Sequence, residues 1–238
     1  MLESAAADDA LRRAQTAHRP GDITMMTVSA FKWVPPFAQG LVRDLRVRWA
    51  LEEAGLPYQV KLIDNKVQAS PDYRKLQPFG QVPVLEEDGL VLFESGAIVL
   101  HIANKCEALL PADAAGRARA VTWLFAALNS IEIAIQPLAE VDLFFAQEEW
   151  AKLRRPGVVE SLKARLGELA AHLGEREYLE DRFTAGDLMM VTVLRILRHT
   201  DVLDGFPTLK AYKERCEARP AFQRALAAQM APFQQPRA

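Results

Sequence analysis

Cysteine is scarce in this sequence. Cys106 and Cys216 are the only two among 238 residues, and they form no CxxC pair. That argues against a disulfide framework or a cysteine-ligated zinc site, and it suits a reducing, cytoplasmic setting. Histidine is sparse too. His18, His101, His172 and His199 show no metal-ligand spacing, so no metal is expected. Charge of one sign is also lacking: 29 Lys+Arg against 31 Asp+Glu leaves a net charge of −2. No basic field then points to nucleic acid. No apolar run approaches the ~20 residues that span a bilayer, so no membrane partner is expected.

What the chain does have is core-forming material. It is 50% hydrophobic and 25% charged, ample for one or two packed domains. Residues 1–25 differ: they are polar, Ala-rich and poor in large apolar groups, without the apolar centre of a secretory signal. They read as an extension outside the packed domains, with a short helix over 2–17. Met25-Met26 is a second possible start.

From there the pattern alternates. Residues 27–31 (TVSAF) read as a strand, and 32–43 (KWVPPFAQGLVR) as a loop that Pro35, Pro36 and Gly40 keep irregular. Asp44 is placed to cap a helix, LRVRWALEEAGL, that presents Val47, Ala50, Leu51 and Ala54 on one face and stops at Gly55. Residues 58–63 (YQVKLI) read as a second strand, completing a right-handed parallel βαβ unit. A short helix at 71–76, a strand at 82–85, a turn at Asp88-Gly89, a strand at 90–93 and a helix from Glu94-Ser95-Gly96 to about Lys105 follow. This order defines a thioredoxin-like α/β sheet sandwich over 26–106.

After a linker at 107–116, an all-helical domain is expected over 117–238. Val121, Leu124, Leu128, Ile131 and Ile135 recur at helical spacing, as do Val159, Leu162, Leu166, Leu169 and Leu173. Residues 188–197 are apolar nearly all round, which marks a buried central helix. Leu209, Tyr212 and Cys216 mark another, ending before Pro220. Thr184 and Asp187 form a capping box at the start of the buried helix, with Thr184 taking the third amide and Asp187 reaching back. Losing Asp187 should therefore cost on the order of 1–2 kcal/mol. No strand pattern returns after Phe93, and no internal repeat is present.

Two short segments carry chemistry. A proline entering a strand, as in Gln81-Val82-Pro83, sacrifices a ladder donor. A cis Val82–Pro83 bond would turn the Val82 backbone polar groups toward a ligand; an ordinary edge-strand proline is the alternative. Glu94-Ser95 falls between a strand and a helix N-terminus, where amides and the helix dipole attract a carboxylate while Glu94 can receive an ammonium. A plain serine cap is the alternative. An amino-acid head group carries both of those charges.

The stretch PFGQVPVLEEDGLVLFESGAI, together with LRVRWALEEAGLPYQV and Thr184-Ala185-Gly186-Asp187, resembles the cytosolic glutathione S-transferase family across roughly residues 27–222. The resemblance implies that Val82, beside Pro83, pairs with the cysteinyl backbone of glutathione. It implies that Glu94 and Ser95 hold the γ-glutamyl end and that Gln81 lies alongside. It also implies a glutathione co-substrate with no permanently bound cofactor, a small electrophilic partner, a homodimer and a transferase acting on glutathione's thiol.

One position departs from the family pattern. Related sequences carry Ser, Tyr or Cys in the loop after the first strand; residues 32–48 here contain none, nor a Thr. Two readings stay open. Either Arg43, the Trp33 indole or the helix N-terminus near Asp44 stabilises the thiolate, or glutathione is bound without efficient conjugation. In the second reading the protein would be a peroxidase, a thiol-exchange enzyme or a binding protein. Trp33 could instead be core, and Arg43 a solvated helix-start residue. Asp44 reads as a cap, since a carboxylate beside a thiolate would raise the thiol's pKa. Cys106 and Cys216 read as core thiols. Trp33, Phe37, Trp123, Phe125, Asn129 and Glu132 are candidates for an acceptor pocket between this loop and the first long helix of the second domain. Aromatics at helical spacing are also ordinary core residues.

Overall fold

A computed structural model describes residues 25–234; the expectations for residues 1–24 and beyond 234 lie outside it. Its first half is a four-stranded sheet of order β2-β1-β3-β4: β1 (Met26–Phe31), β2 (Tyr58–Ile63), β3 (Val84–Glu87) and β4 (Leu90–Phe93). β1 and β2 run parallel, with Met26 opposite Tyr58 and Phe31 opposite Ile63. β3 is antiparallel to β1 and to β4.

Alternation along β1 divides its side chains between two layers. Met26 and Val28 join the main core with Val47, Leu51, Ile98 and Ile102 from α1 (Asp44–Ala54) and from the helix that follows β4. On the opposite face Ile63, Tyr73, Val82 and Val84 make a smaller core. Two short helices cover that side, α2 (Asn65–Gln68) and α3 (Pro71–Leu76). The helix after β4 is α4 (Ser95–Ala103).

Several expectations shift in detail. The third strand begins at Val84 rather than Val82. Pro83 has no N–H, its bond to Val82 is cis, and the Val84 N–H donates to the Ser29 hydroxyl at 2.8 Å. Asp44 is not the cap of α1. It is the first helical residue, after Arg43 in the capping place, and no side chain caps that helix. Being four residues ahead of Arg48, the buried Asp44 carboxylate instead takes Arg48 Nε at 2.7 Å. It also takes Gln229 Nε2 at 2.7 Å.

The second half is helical. Helix α5 runs from Ala114 to Phe144, with π-helical stretches at Ala127–Glu132 and Glu140–Phe144. Its length and apolar composition match those of a membrane-crossing helix, although Asn129, Ser130 and Glu132 interrupt its apolar runs. Its Leu124, Ala127, Ile131, Ile135 and Leu138 are all buried in the main core.

Helix α6 (Glu149–Leu173) packs through the anticipated Leu162, Leu166, Leu169 and Leu173. Every residue of α7 (Ala185–Leu194) is buried, and the chain then tightens into a 3₁₀ turn, Arg195–His199, one turn earlier than the apolar pattern suggested. Helix α8 (Pro207–Glu217) ends as expected. A further helix, α9 (Pro220–Met230), follows where the sequence suggests only a stop: Pro220 occupies its first turn, where the missing N–H costs nothing. Cys216 is buried, whereas Cys106 is only half-buried.

Candidate active site

The site forms where three helix beginnings and bends converge. At the N-terminus of α4, Glu94 holds a positive φ (φ 68°, ψ 113°), an unusual conformation for a residue with a Cβ. It stands in the capping position, so Ser95 is the first helical residue and not a cap. The buried Ser95 hydroxyl accepts a hydrogen bond from Arg46 Nη1 at 3.2 Å.

Arg46 lies in the first turn of α1 and is itself buried. Its Nη2 lies 3.0 Å from Glu132 Oε1. Glu132 belongs to the first π stretch of α5 and also accepts from Arg43 Nη2 at 2.9 Å and Gln136 Nε2 at 3.3 Å. Ser95, Arg46, Glu132 and Arg43 thus form one polar chain from the sheet domain into the helical domain.

The electrostatics follow from burial and pairing. Burial pushes the Glu132 carboxyl up, but Arg46 and then Arg43 outweigh it and hold it below the usual carboxylate range. Burial also pulls the Arg46 guanidinium below its ordinary value, opposed by Glu132. Two guanidiniums face one internal carboxylate at the base of the site, and the exposed Glu94 and Glu140 add two more carboxylates at its edge.

Above this chain opens a cavity of about 700 Å³, lined by Arg43, Arg46, Glu94, Ser95, Asn129 and Glu132 on one side and Ile133, Pro137, Phe144 and Phe145 on the other. On α5 the lining positions 129, 132, 133, 136, 137 and 140 lie three or four apart, on one helical face. A smaller cavity of about 170 Å³ adjoins it, walled by Phe37, Leu41, Val42, Leu143 and Ile196 and sharing Arg43, Arg46 and Glu132. Phe37 packs edge-on against Phe144, with ring centroids 5.4 Å apart.

Not every candidate gathers here. Arg43, Phe37, Asn129, Glu132, Glu94 and Ser95 do. Gln81, Val82 and Pro83 sit on the segment entering β3 and line neither cavity. A buried relay steadies that segment: the Tyr73 hydroxyl donates to the Gln81 carbonyl at 2.7 Å and stands 3.0 Å from the Ser29 hydroxyl. Trp33 is 41% exposed, which overturns the core alternative, and it lines neither cavity. Trp123 faces away, donating to Glu180 and packing 4.4 Å from the His172 ring. Phe125, one turn before Asn129, is 49% exposed and outside both linings.

Arg46 and Tyr73 were missed from sequence. Arg46 carried one available signal: as a charge on a buried helix face three residues after Arg43, it needed a partner.

A thioredoxin-like sheet domain followed by a helical domain, with a polar cavity between them, defines the class. Family models for the glutathione S-transferase N-terminal domain and C-terminal domain match residues 38–104 and 129–220. The chain is 34% identical to glutathione S-transferase 3 of Zea mays over 200 residues, which cover 77% of this chain and 88% of that protein. Glutathione S-transferase GstA of Escherichia coli O157:H7 is 28% identical over 188 residues, 75% of this chain and 90% of that one. A glutathione transferase structure from Burkholderia graminis, with two glutathione molecules bound per subunit, superimposes with a TM-score of 0.76 at 26% identity. That match covers 97% of this chain and 96% of the other. The chain belongs to the glutathione S-transferase family.

Proposed function

We propose that this protein binds glutathione through Gln81, Val82, Pro83, Glu94 and Ser95 and conjugates it, through its thiol sulfur, to a small apolar electrophile. The thiol proton leaves to solvent, the sulfur–carbon bond forms, and the displaced group departs with its electron pair. The observation that carries this reading is the pairing of a buried Ser95 and a positive-φ Glu94 at a helix start with the Arg43 and Arg46 guanidiniums of the cavity beside them. The ammonium of glutathione's γ-glutamyl end would meet Glu94. Its α-carboxylate would meet Ser95 and the α4 amides.

A thiol with an ordinary pKa near 8.5 needs a stabilised anion to react at neutral pH. Arg43 and the N-terminus of α1 supply that stabilisation at the cavity, which favours Arg43 over Trp33 as the activating side chain. The acceptor would occupy the apolar wall of Phe37, Ile133 and Phe144. The Burkholderia graminis relative's bound glutathione supports glutathione as co-substrate. We further propose a cytoplasmic homodimer in which the β3–β4–α4 unit of one subunit faces the helical domain of the other.

A second reading has its own observation in favour: the loop between β1 and α1 carries no hydroxyl or thiol. On that reading the protein binds glutathione without arming it, or works as a peroxidase or thioltransferase. Titrating glutathione into the parent and into Glu94→Ala, with thiolate absorbance followed against pH in the parent, Arg43→Ala and Trp33→Phe, separates the two. The transferase reading expects binding that Glu94→Ala weakens by at least tenfold. It also expects a bound-thiol pKa below that of the free thiol, raised again in Arg43→Ala. Binding with an unshifted thiol favours the second reading; no binding at millimolar glutathione overturns both.

A further inference from the structure

The loop that lacks the expected hydroxyl is fastened from the other domain. It closes a few turns of its own: the Ala38 amide donates to Pro35 O at 2.8 Å and the Leu41 amide to Ala38 O at 3.0 Å. Carbonyls on its outer side are taken by helical-domain side chains. Arg198 Nη2 donates to Phe37 O at 2.8 Å and to Gln39 O at 2.6 Å. Arg195 Nη2 reaches Gly40 O at 3.2 Å. From α9, Gln229 Nε2 donates to Val42 O at 3.0 Å while also holding Asp44.

These donors are themselves anchored. Arg195 is buried, pairs with Glu217 and lies 4.8 Å over the Phe222 ring. Among the described residues Arg198 forms no ion pair, and its Nη2 donates only to carbonyls of this loop. Gly40 completes the fit: it holds φ +77°, and a Cβ there would come within 3.3 Å of both Arg198 Nη1 and Leu226 Cδ1.

A peptide's C=O and N–H point in opposite directions. Drawing the loop carbonyls toward the helical domain therefore also orients the amides at the start of α1 and fixes the position of Arg43.

We propose that Arg198, Arg195 and Gln229 are positioning residues of the transferase reaction: acting across the domain boundary, they set the β1–α1 loop and the first turn of α1 in the geometry that stabilises the glutathione thiolate. This rests on the transferase reading above. The consequence is a split in the kinetics. The clamp touches none of the residues assigned to hold glutathione, so its loss should impair activation and leave affinity nearly intact. Misplacement of a reacting group by about 1 Å costs on the order of a hundredfold in rate.

The test measures kcat, the glutathione KM and the bound-thiol pKa with a chlorodinitrobenzene as acceptor, where the thiolate displaces chloride. It compares the parent, Arg198→Met and Arg198→Lys. Arg198→Met should lower kcat about ten- to a hundredfold and raise the thiol pKa toward the free value, with KM within about twofold. One nitrogen makes both Arg198 bonds, so Arg198→Lys should recover most of the loss.

A Met variant with the parent's kcat and thiol pKa overturns the proposal, whatever its melting temperature. So does a fall in kcat with an unmoved thiol pKa. If Arg198→Met does not fold, Arg198→Gln, whose amide reaches one carbonyl, carries the same readout. A parent that binds glutathione with an unshifted thiol removes the transferase reading itself. That result is distinct from a shifted parent thiol that the Met variant leaves unchanged.

Discussion

Replacing Asp187 with alanine should cost about 3 kcal/mol, well beyond an ordinary helix cap. The carboxylate is fully buried and works on two helices at once. Its Oδ2 accepts from the Thr184 amide at 2.9 Å and the Thr184 hydroxyl at 3.1 Å. Its Oδ1 accepts from the Leu179 amide at 2.8 Å and the Tyr212 hydroxyl at 2.9 Å. Alanine strands both amides and the tyrosine hydroxyl away from water, at roughly 1–3 kcal/mol each. Two effects reduce that sum. Burial pushes the Asp187 carboxyl above its ordinary value, so its charge is held at a cost that alanine removes, and the Thr184 hydroxyl can rotate to another acceptor. About 3 kcal/mol remains, equivalent to a fall of about 6–12 °C in Tm for a chain of this size. Asp187→Asn should do little better, because its NH₂ would face an amide donor. Urea unfolding of parent and variants, with glutathione binding measured alongside, checks this. A loss below about 1 kcal/mol, the level of a solvent-exposed cap, would refute the reasoning. A loss of glutathione affinity at unchanged stability would refute it too, since Asp187 lines neither cavity.

Other outcomes follow from the same structure. Glu132→Ala leaves the buried Arg46 without its carboxylate and should cost about 3 kcal/mol in chemical denaturation; a change under about 1 kcal/mol would show that the ion pair contributes nothing net. Because the Glu132 carboxyl is held below its ordinary value of 4.5, the stability it contributes is full above that range and is lost as pH falls through the depressed value. The parent should therefore lose stability below about pH 4.5 more steeply than Glu132→Gln, and parallel acid-unfolding curves would contradict this. Gly40→Ala should cost about 1–2 kcal/mol through its positive φ and the contact with Arg198; an unchanged Tm would show that the loop adapts freely.

The sequence alone determined the architecture and named part of the candidate site. Alternating strands, Gly55 and Asp88-Gly89 as stops and turns, and the leucine stripe of α6 are local signals, and local propensity agreed with the final fold at each. PFGQVPVL and Glu94-Ser95 stood out for the same reason, as short runs of unusual local chemistry: the structure gives the first a cis Val82–Pro83 bond and the second a positive φ at Glu94. Even the Thr184–Asp187 capping box was visible, and both of its halves are present; the Thr184 hydroxyl also accepts from the Gly186 amide, at 3.2 Å.

Tertiary structure decided what depends on distant partners. Asp44 looked like a cap because its preference is local; burial beside Arg48 and Gln229, the latter 185 residues away, made it an ion-pair member instead. Arg46 looked like one more helix charge until α4 and α5 brought Ser95 and Glu132 to it. Trp123 and Phe125 looked like pocket aromatics, but the π stretches of α5 and its packing against α7 selected which of its faces meets the cavity. The Arg195–Arg198 clamp left no trace in the sequence, because its acceptors are backbone carbonyls, which every residue has. Local chemistry fits each helix and strand to its own residues; only packing determines which buried charge finds which partner.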